Sequence, residues 1–149
     1  MSAALTLAAP EHIERLDMLV AAFHDEQEIT SSPEARLDGL RPLLDGSPYG
    51  AIYLIGPARA PIGYVIVTFG WSIEFGGLDG FVDELYVRPK VRKRGIASEV
   101  LQTLPRALAG AGLKALHLEV DREAEATQRL YKRAGFSLRD KYALMSRAF

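Results

Sequence analysis

Residues 81–97 constrain this chain more than any other stretch. They run Phe81, Val82, Asp83, Glu84, Leu85, Tyr86, Val87, then Arg88, Pro89, Lys90, Val91, Arg92, Lys93, Arg94, and then Gly95, Ile96, Ala97. The first seven, β-branched and aromatic at most positions, predict a strand that Pro89 ends. After a basic turn, Ile96, Val100, Leu101, Leu104 and Leu108 recur at helical spacing. A strand therefore enters a helix through Arg92, Lys93, Arg94 and Gly95. The first amides of that helix have no intrahelical partner and carry the positive end of its dipole. Gly95 and the small Ala97 allow close backbone approach, and three cations add formal charge. Strand, basic turn and helix start together make an anion site, and a pyrophosphate is its natural occupant. A solvated basic turn with an incidental glycine is the plainer alternative for such a stretch in isolation.

The rest of the chain fits around that unit as one domain, residues 1–149. At 149 residues it can bury one substantial core. A hydrophobic share of 48% and a charged share of 25% are an ordinary globular balance. Leu5, Thr6 and Leu7 begin a strand. Pro10 opens a helix carrying Ile13, Leu16, Leu19, Val20 and Phe23, and Ser32 and Pro33 open a second with Leu37, Leu40, Leu43 and Leu44. Strands are expected at 51–55 and 62–69, the second running on towards Phe75 with a bulge or break at Gly70. A turn at 76–80 precedes the strand of residues 81–87. After the helix from Ile96 come a strand at 115–120, a helix at 123–133 stopped by Gly135, and short strands at 136–138 and 142–145. The order predicts a mixed α/β (α+β) fold, with a mainly antiparallel sheet of about six to seven strands flanked by about four helices.

Several function classes drop out. The chain has no cysteine, which removes disulfides, thiolate metal sites and a cysteine nucleophile. Its three histidines, His12, His24 and His117, show no ligand spacing, so no metal is expected. His117 lies among apolar strand residues as a core histidine, and His24 begins an acidic loop, where solvent is the expected surrounding and contact with a substrate the alternative. A formal net charge of −1 argues against a nucleic-acid-binding surface spread over the molecule. No apolar run approaches the ~20 residues of a membrane span. No basic segment followed by an apolar run opens the chain, which points to the cytoplasm.

Two separated motifs then carry a resemblance. Residues 92–97, Arg-Lys-Arg-Gly-Ile-Ala, resemble the Q/R-x-x-G-x-G/A signature of the GNAT superfamily of acetyl-CoA-dependent N-acetyltransferases. Leu130, Tyr131, Gly135 and Phe136 match its LYxxxGF pattern, and the order of elements agrees from about Leu5 to Met145. The resemblance implies acetyl-CoA as co-substrate. Its pantetheine arm would lie along the strand of Leu85, Tyr86 and Val87, with the Leu85 amide polarising the thioester carbonyl. Its pyrophosphate would lie on Arg92, Lys93, Arg94, Gly95, Ile96 and Ala97, with Thr127 also in contact. Tyr131 would protonate the departing thiolate. Relatives often carry Asn-Pro-x-Asn where this chain has Asp121, Arg122, Glu123 and Ala124, so one side-chain contact is missing at Ala124.

The acceptor must lose a proton before it attacks, because an amine with a pKa of about 10.4 is mostly protonated near neutrality. Asp83 and Glu84 are the candidate bases. Asp83 aligns with the glutamate proposed as base in the spermidine/spermine acetyltransferase branch, whereas Glu84 reaches further. Alternation sends neighbours to opposite faces, so both can face the substrate only if a bulge intervenes. In the plainer alternative both pair with arginines. Glu26, Glu28, Trp71 and Glu74 are the candidate acceptor contacts, since carboxylates and aromatics suit a cationic amine. The expected activity is acetyl transfer to a small cationic primary amine by direct attack in a ternary complex. A protein lysine or N-terminus as acceptor is the alternative, and a non-catalytic acyl-CoA sensor a third. Monomer and homodimer both remain open.

Overall fold

The computed structural model describes residues 3–149. Its elements are β1 (Leu5–Leu7), α1 (Ile13–Glu26), α2 (Pro33–Leu44), β2 (Gly50–Ile55), β3 (Gly63–Ser72), β4 (Gly77–Val87), α3 (Ile96–Gly110), β5 (Ala115–Leu118) and α4 (Glu125–Arg133). Short 3-10 turns at Pro10–His12 and Pro89–Val91 lead towards α1 and α3. The chain forms two units, Met1–Glu119 and Val120–Phe149. Among the described residues no helix is long and apolar enough to cross a membrane.

The first unit is built on one sheet of five strands in sequence order. Neighbours from β1 to β4 pair antiparallel, and β5 joins β4 in parallel after the crossover through α3. Strand alternation supplies two cores. On one face Val65, Val67, Val82 and Val87 pack with Ile96, Val100, Leu104 and Leu108 of α3. On the other Ile52, Leu54, Tyr64, Ile66 and Tyr86 pack with Leu16, Leu19 and Val20 of α1 and Leu40 and Leu44 of α2. Ser32 caps α2 by accepting from the Ala35 amide at 3.1 Å. Pro42 and Pro105 stay inside α2 and α3, which run on to Leu44 and Gly110.

The expected bulge or break at Gly70 does not occur: β3 runs through it to Ser72, and Gly70 pairs in register with Asp79. The irregularity lies further in. Ile66 pairs with Glu84 and Val67 with Val82, so Asp83 is an extra residue in β4. A regular strand would put Val82 and Tyr86 on one face; here they lie in opposite cores. The bulge has reversed the alternation.

The second unit holds α4 and the chain beyond it. The expected strands at 136–138 and 142–145 do not form, so the sheet has five strands among the described residues rather than six to seven. These are three- and four-residue runs separated by Arg139, Asp140 and Lys141. Leu144 and Met145 keep 68% and 94% of their surface in solvent, so little burial favours an ordered ladder.

One contact makes a stability prediction. Gly63 lies opposite Val87, and a Cβ placed on it would fall on the carbonyl oxygen of Tyr86. Gly63→Ala should therefore destabilise the fold by about 1–3 kcal/mol, the usual cost of overpacking. Urea denaturation with an unchanged midpoint would contradict this close approach.

Candidate active site

The site grows from the bulge. Beyond Val82 and Leu118 the β4–β5 ladder ends, so among the described residues β4 at 83–87 pairs only with β3. The Arg88 amide donates to the Ile62 carbonyl, towards β3. Strand alternation then turns the Leu85 and Val87 amides the other way, into the gap left by β5. Val87 agrees, because its carbonyl accepts from Arg92 Nε at 2.8 Å rather than from β3. A backbone edge is thus open at Leu85, the residue whose amide the resemblance implicated.

Below it the bulge turns Asp83 and Glu84 to the same face, that of α1 and α2. Glu84 is clamped: Tyr64 donates to Oε1 at 2.8 Å, and His24 Nε2 lies 2.6 Å from Oε2. The His24 and Glu84 side chains are each only 14% exposed. Tyr64 is fully buried, and burial, then the Glu84 charge, pushes its phenol far above its ordinary range, so it remains a donor. His24 Nδ1 lies 2.8 Å from Ser31 Oγ, so one ring nitrogen faces a hydroxyl and the other a carboxylate. Arg36 Nη1 donates to the Ser31 carbonyl at 3.2 Å, while its Nε bonds Asp17 at 2.8 Å.

Asp83 differs. Its side chain reaches solvent, and among the described residues no donor bonds its carboxyl. Desolvation pushes its proton affinity up; the Glu84 and Glu119 carboxylates add to the rise, and His24 opposes it. Neither acid pairs with an arginine. Two adjacent carboxylates thus sit in environments that separate them, a pattern of acid–base sites.

At the start of α3, Lys93 and Gly95 both adopt positive φ, 64° and 78°. No side chain caps the helix, and a Cβ on Gly95 would meet nothing within 4 Å. Exposed Lys93 and Arg94 flank this open helix start. An anionic group fits here: the amides point outward, the space is clear and the charge is positive. Arg92 does something else. It folds back over the Tyr86 ring at 5.6 Å and grips Glu26 through Nη2 at 2.6 and 2.9 Å. A candidate cofactor contact and a candidate acceptor contact are therefore paired with each other.

The remaining candidates are dispersed. Glu28 lies exposed at φ 56° just past α1. Trp71 is 71% exposed and pairs with Leu78 near the β3–β4 turn that holds Glu74. Leu78 is six residues of strand from Glu84, roughly 20 Å at ~3.3 Å per residue, so the hairpin tip is not beside the acids. In the second unit Thr127 and Tyr131 lie on α4. The Tyr131 ring meets Phe136 at 6.2 Å, and burial raises its phenol above the ordinary range. His117 pairs with Asp79 at 3.2 Å between the Phe75 and Phe81 rings.

His24, Ser31, Tyr64 and Glu119 enter the site without having been picked from the sequence. For His24 a signal existed: it follows Leu16 and Val20 at four-residue steps, on the buried stripe of α1.

A search of curated protein sequences finds no match. Among solved structures, an integron cassette protein, HFX_CASS3, from the mobile metagenome of Cole Harbour Salt Marsh is 30% identical, with a TM-score of 0.83 over 97% of this chain and 89% of that one. Two others share the fold alone. A ribosomal-protein-alanine N-acetyltransferase from Brucella melitensis biovar Abortus 2308 is 18% identical, with a TM-score of 0.74 over 98% of each chain. The aminoglycoside antibiotic 6'-N-acetyltransferase AAC(6')-IG from Acinetobacter haemolyticus is 15% identical, with a TM-score of 0.73 over 98% of this chain and 99% of that one. The model of the acetyltransferase (GNAT) family matches residues 6–136, and by that match the chain belongs to the GNAT acetyltransferase family.

Proposed function

We propose that the protein, acting as a single domain, moves an acetyl group from acetyl-CoA to a small cationic primary amine by direct attack. The observation that carries the reading is the bulge, which sets Asp83 and Glu84 on one face beside the open edge of β4. In this reading the Leu85 amide polarises the thioester carbonyl as negative charge develops on its oxygen. The open start of α3, with Lys93 and Arg94, holds the pyrophosphate. Asp83 takes the proton from the acceptor's ammonium, freeing the lone pair that attacks. Glu84, held between Tyr64 and His24, attracts the ammonium and raises the proton affinity of Asp83. Tyr131 returns a proton to the leaving thiolate. With Glu119 also acting on Asp83, three carboxylates favour a cationic acceptor at this end of β4.

The acceptor class is tested by measuring thiol release from acetyl-CoA with polyamines, aminoglycosides and short peptides. Turnover with small amines and not with peptides is expected. Turnover with peptides alone would move the reading to a protein acceptor, and tight CoA binding without turnover would make the protein a sensor.

The pyrophosphate site is tested through Gly95. An aspartate there must adopt a left-handed backbone and would place a like charge in the open space at the helix start. Gly95→Asp should weaken acetyl-CoA binding by more than about tenfold, equivalent to ~1.4 kcal/mol. Gly95→Ala, which shares the backbone strain without the charge, should lose less. Equal affinity of Gly95→Asp and the parent in calorimetric titration would remove the site.

A further inference from the structure

We propose that His24 is a positioning residue for acetyl transfer: through Nε2 it holds the Glu84 carboxylate in place and turned aside, which leaves Asp83 as the proton acceptor. This deepens the reading above and rests on it.

The geometry comes from three separate elements. Glu84 on β4 is held from β3 by Tyr64 and from α1 by His24, one donor per oxygen, at 2.8 and 2.6 Å. The His24 ring is itself fixed. Ser31, beyond α1, occupies Nδ1, and Phe23 lies beside it with ring centroids 6.1 Å apart. Ser31 is steadied in turn by Arg36, whose other bond is to Asp17. The Ser31 hydroxyl, which accepts from Arg36 Nη1 at 3.4 Å, has its own proton to offer Nδ1, and Nε2 faces the Glu84 carboxylate, an acceptor. The charged and titratable groups facing the pair are His24 from α1, Tyr64 from β3, Tyr86 and Asp83 on β4, and Glu119 just past β5.

The physical consequence follows from the adjacency of two acids. Two neighbouring carboxylates on one face share the first proton that arrives, and it goes to the one with fewer donors. Two donors on Glu84 and none on Asp83 direct that proton to Asp83. Without the His24 donor the shared proton is held more readily on Glu84, so the pair must reach higher pH before both carboxylates are ionised and Asp83 can accept beside a charged neighbour.

Glutamine and asparagine at position 24 separate this role from packing. Both are polar and of similar size, but only the longer glutamine amide reaches where Nε2 stands. For His24→Asn the acid limb of kcat/KM against pH should move up by about one unit, the effect of one hydrogen bond to a charged group. Turnover on the acid limb should fall about tenfold at a given pH, the rate equivalent of that one-unit shift, with the KM for acetyl-CoA unchanged. His24→Gln should keep the parent's limb. If the two variants show the same limb, whether moved or not, the positioning role is overturned. If Asp83→Asn keeps the parent's rate, the underlying reading falls whatever His24 does. If Asp83→Asn is slow and His24→Asn leaves the limb in place, only the role of His24 fails.

Discussion

Replacing Asp83 by asparagine is expected to lower kcat/KM for amine acetylation by about 10²–10⁴-fold near neutral pH, the usual contribution of a general base. The substitution keeps size and removes the proton-accepting oxygen. Part of the rate should return at high pH, where free amine is available without help. In the parent, the rate should rise with pH as Asp83 loses its proton, at higher pH than an ordinary aspartate because burial, Glu84 and Glu119 raise its affinity. The same shift has a stability consequence of opposite sense. An acid raised in the folded state costs nothing below its unfolded pKa, where both states are protonated. Between the unfolded and folded values the folded chain keeps a proton that the unfolded chain has lost, so stability falls as pH rises through that window. Asp83→Asn removes this penalty and should raise Tm slightly at neutral pH while nearly abolishing turnover. Lower rate together with lower Tm would mark Asp83 as a structural residue instead.

The second large effect is expected at Tyr131. Burial keeps its phenol protonated well past neutrality, as a proton donor to a thiolate requires. Tyr131→Phe keeps the ring against Phe136 and removes only the hydroxyl. Turnover should drop by about 10²–10⁴-fold while acetyl-CoA affinity and Tm stay near the parent's values. Turnover within about twofold, with chemistry shown to be rate-limiting, would assign Tyr131 to packing.

Much of the fold was legible because it is written in local periodicity. The stripes Leu16–Leu19–Val20 and Val100–Leu101–Leu104 marked α1 and α3, and Ser32 with Pro33 marked the start of α2. The bulge was not locatable in this way. Gly70 carries the residue type that breaks strands, yet the ladder runs through it, and the extra residue falls at Asp83, among good strand formers. A bulge is a property of two strands in register, set here by Val82 and Tyr86 seeking opposite cores. The last two strands failed for the converse reason. Short apolar runs resemble strands locally, but whether a partner buries them is a tertiary matter.

The same division runs through the site. The helix start at residues 92–97 could be read from sequence because its chemistry is contiguous. The clamp on Glu84 could not, since it joins residues 60 positions apart through His24 and 20 apart through Tyr64. The acidic loop made His24 look solvated, although its spacing from Leu16 and Val20 placed it on the inner stripe. Nor were the partners of Arg92 legible: Glu26, the Val87 carbonyl and the Tyr86 ring hold it, and Glu26 is 66 positions away in the chain.

The central claim is that an acetyl group passes from acetyl-CoA to an amine at the open edge of β4. The most direct test follows thiol release at saturating acetyl-CoA with a polyamine present or absent, and identifies the organic product by mass spectrometry. The account predicts release that depends on the amine, with one acetyl amide formed per thiol and both lost together in Asp83→Asn. Release at the same rate without amine, or an amine recovered unmodified, would contradict it.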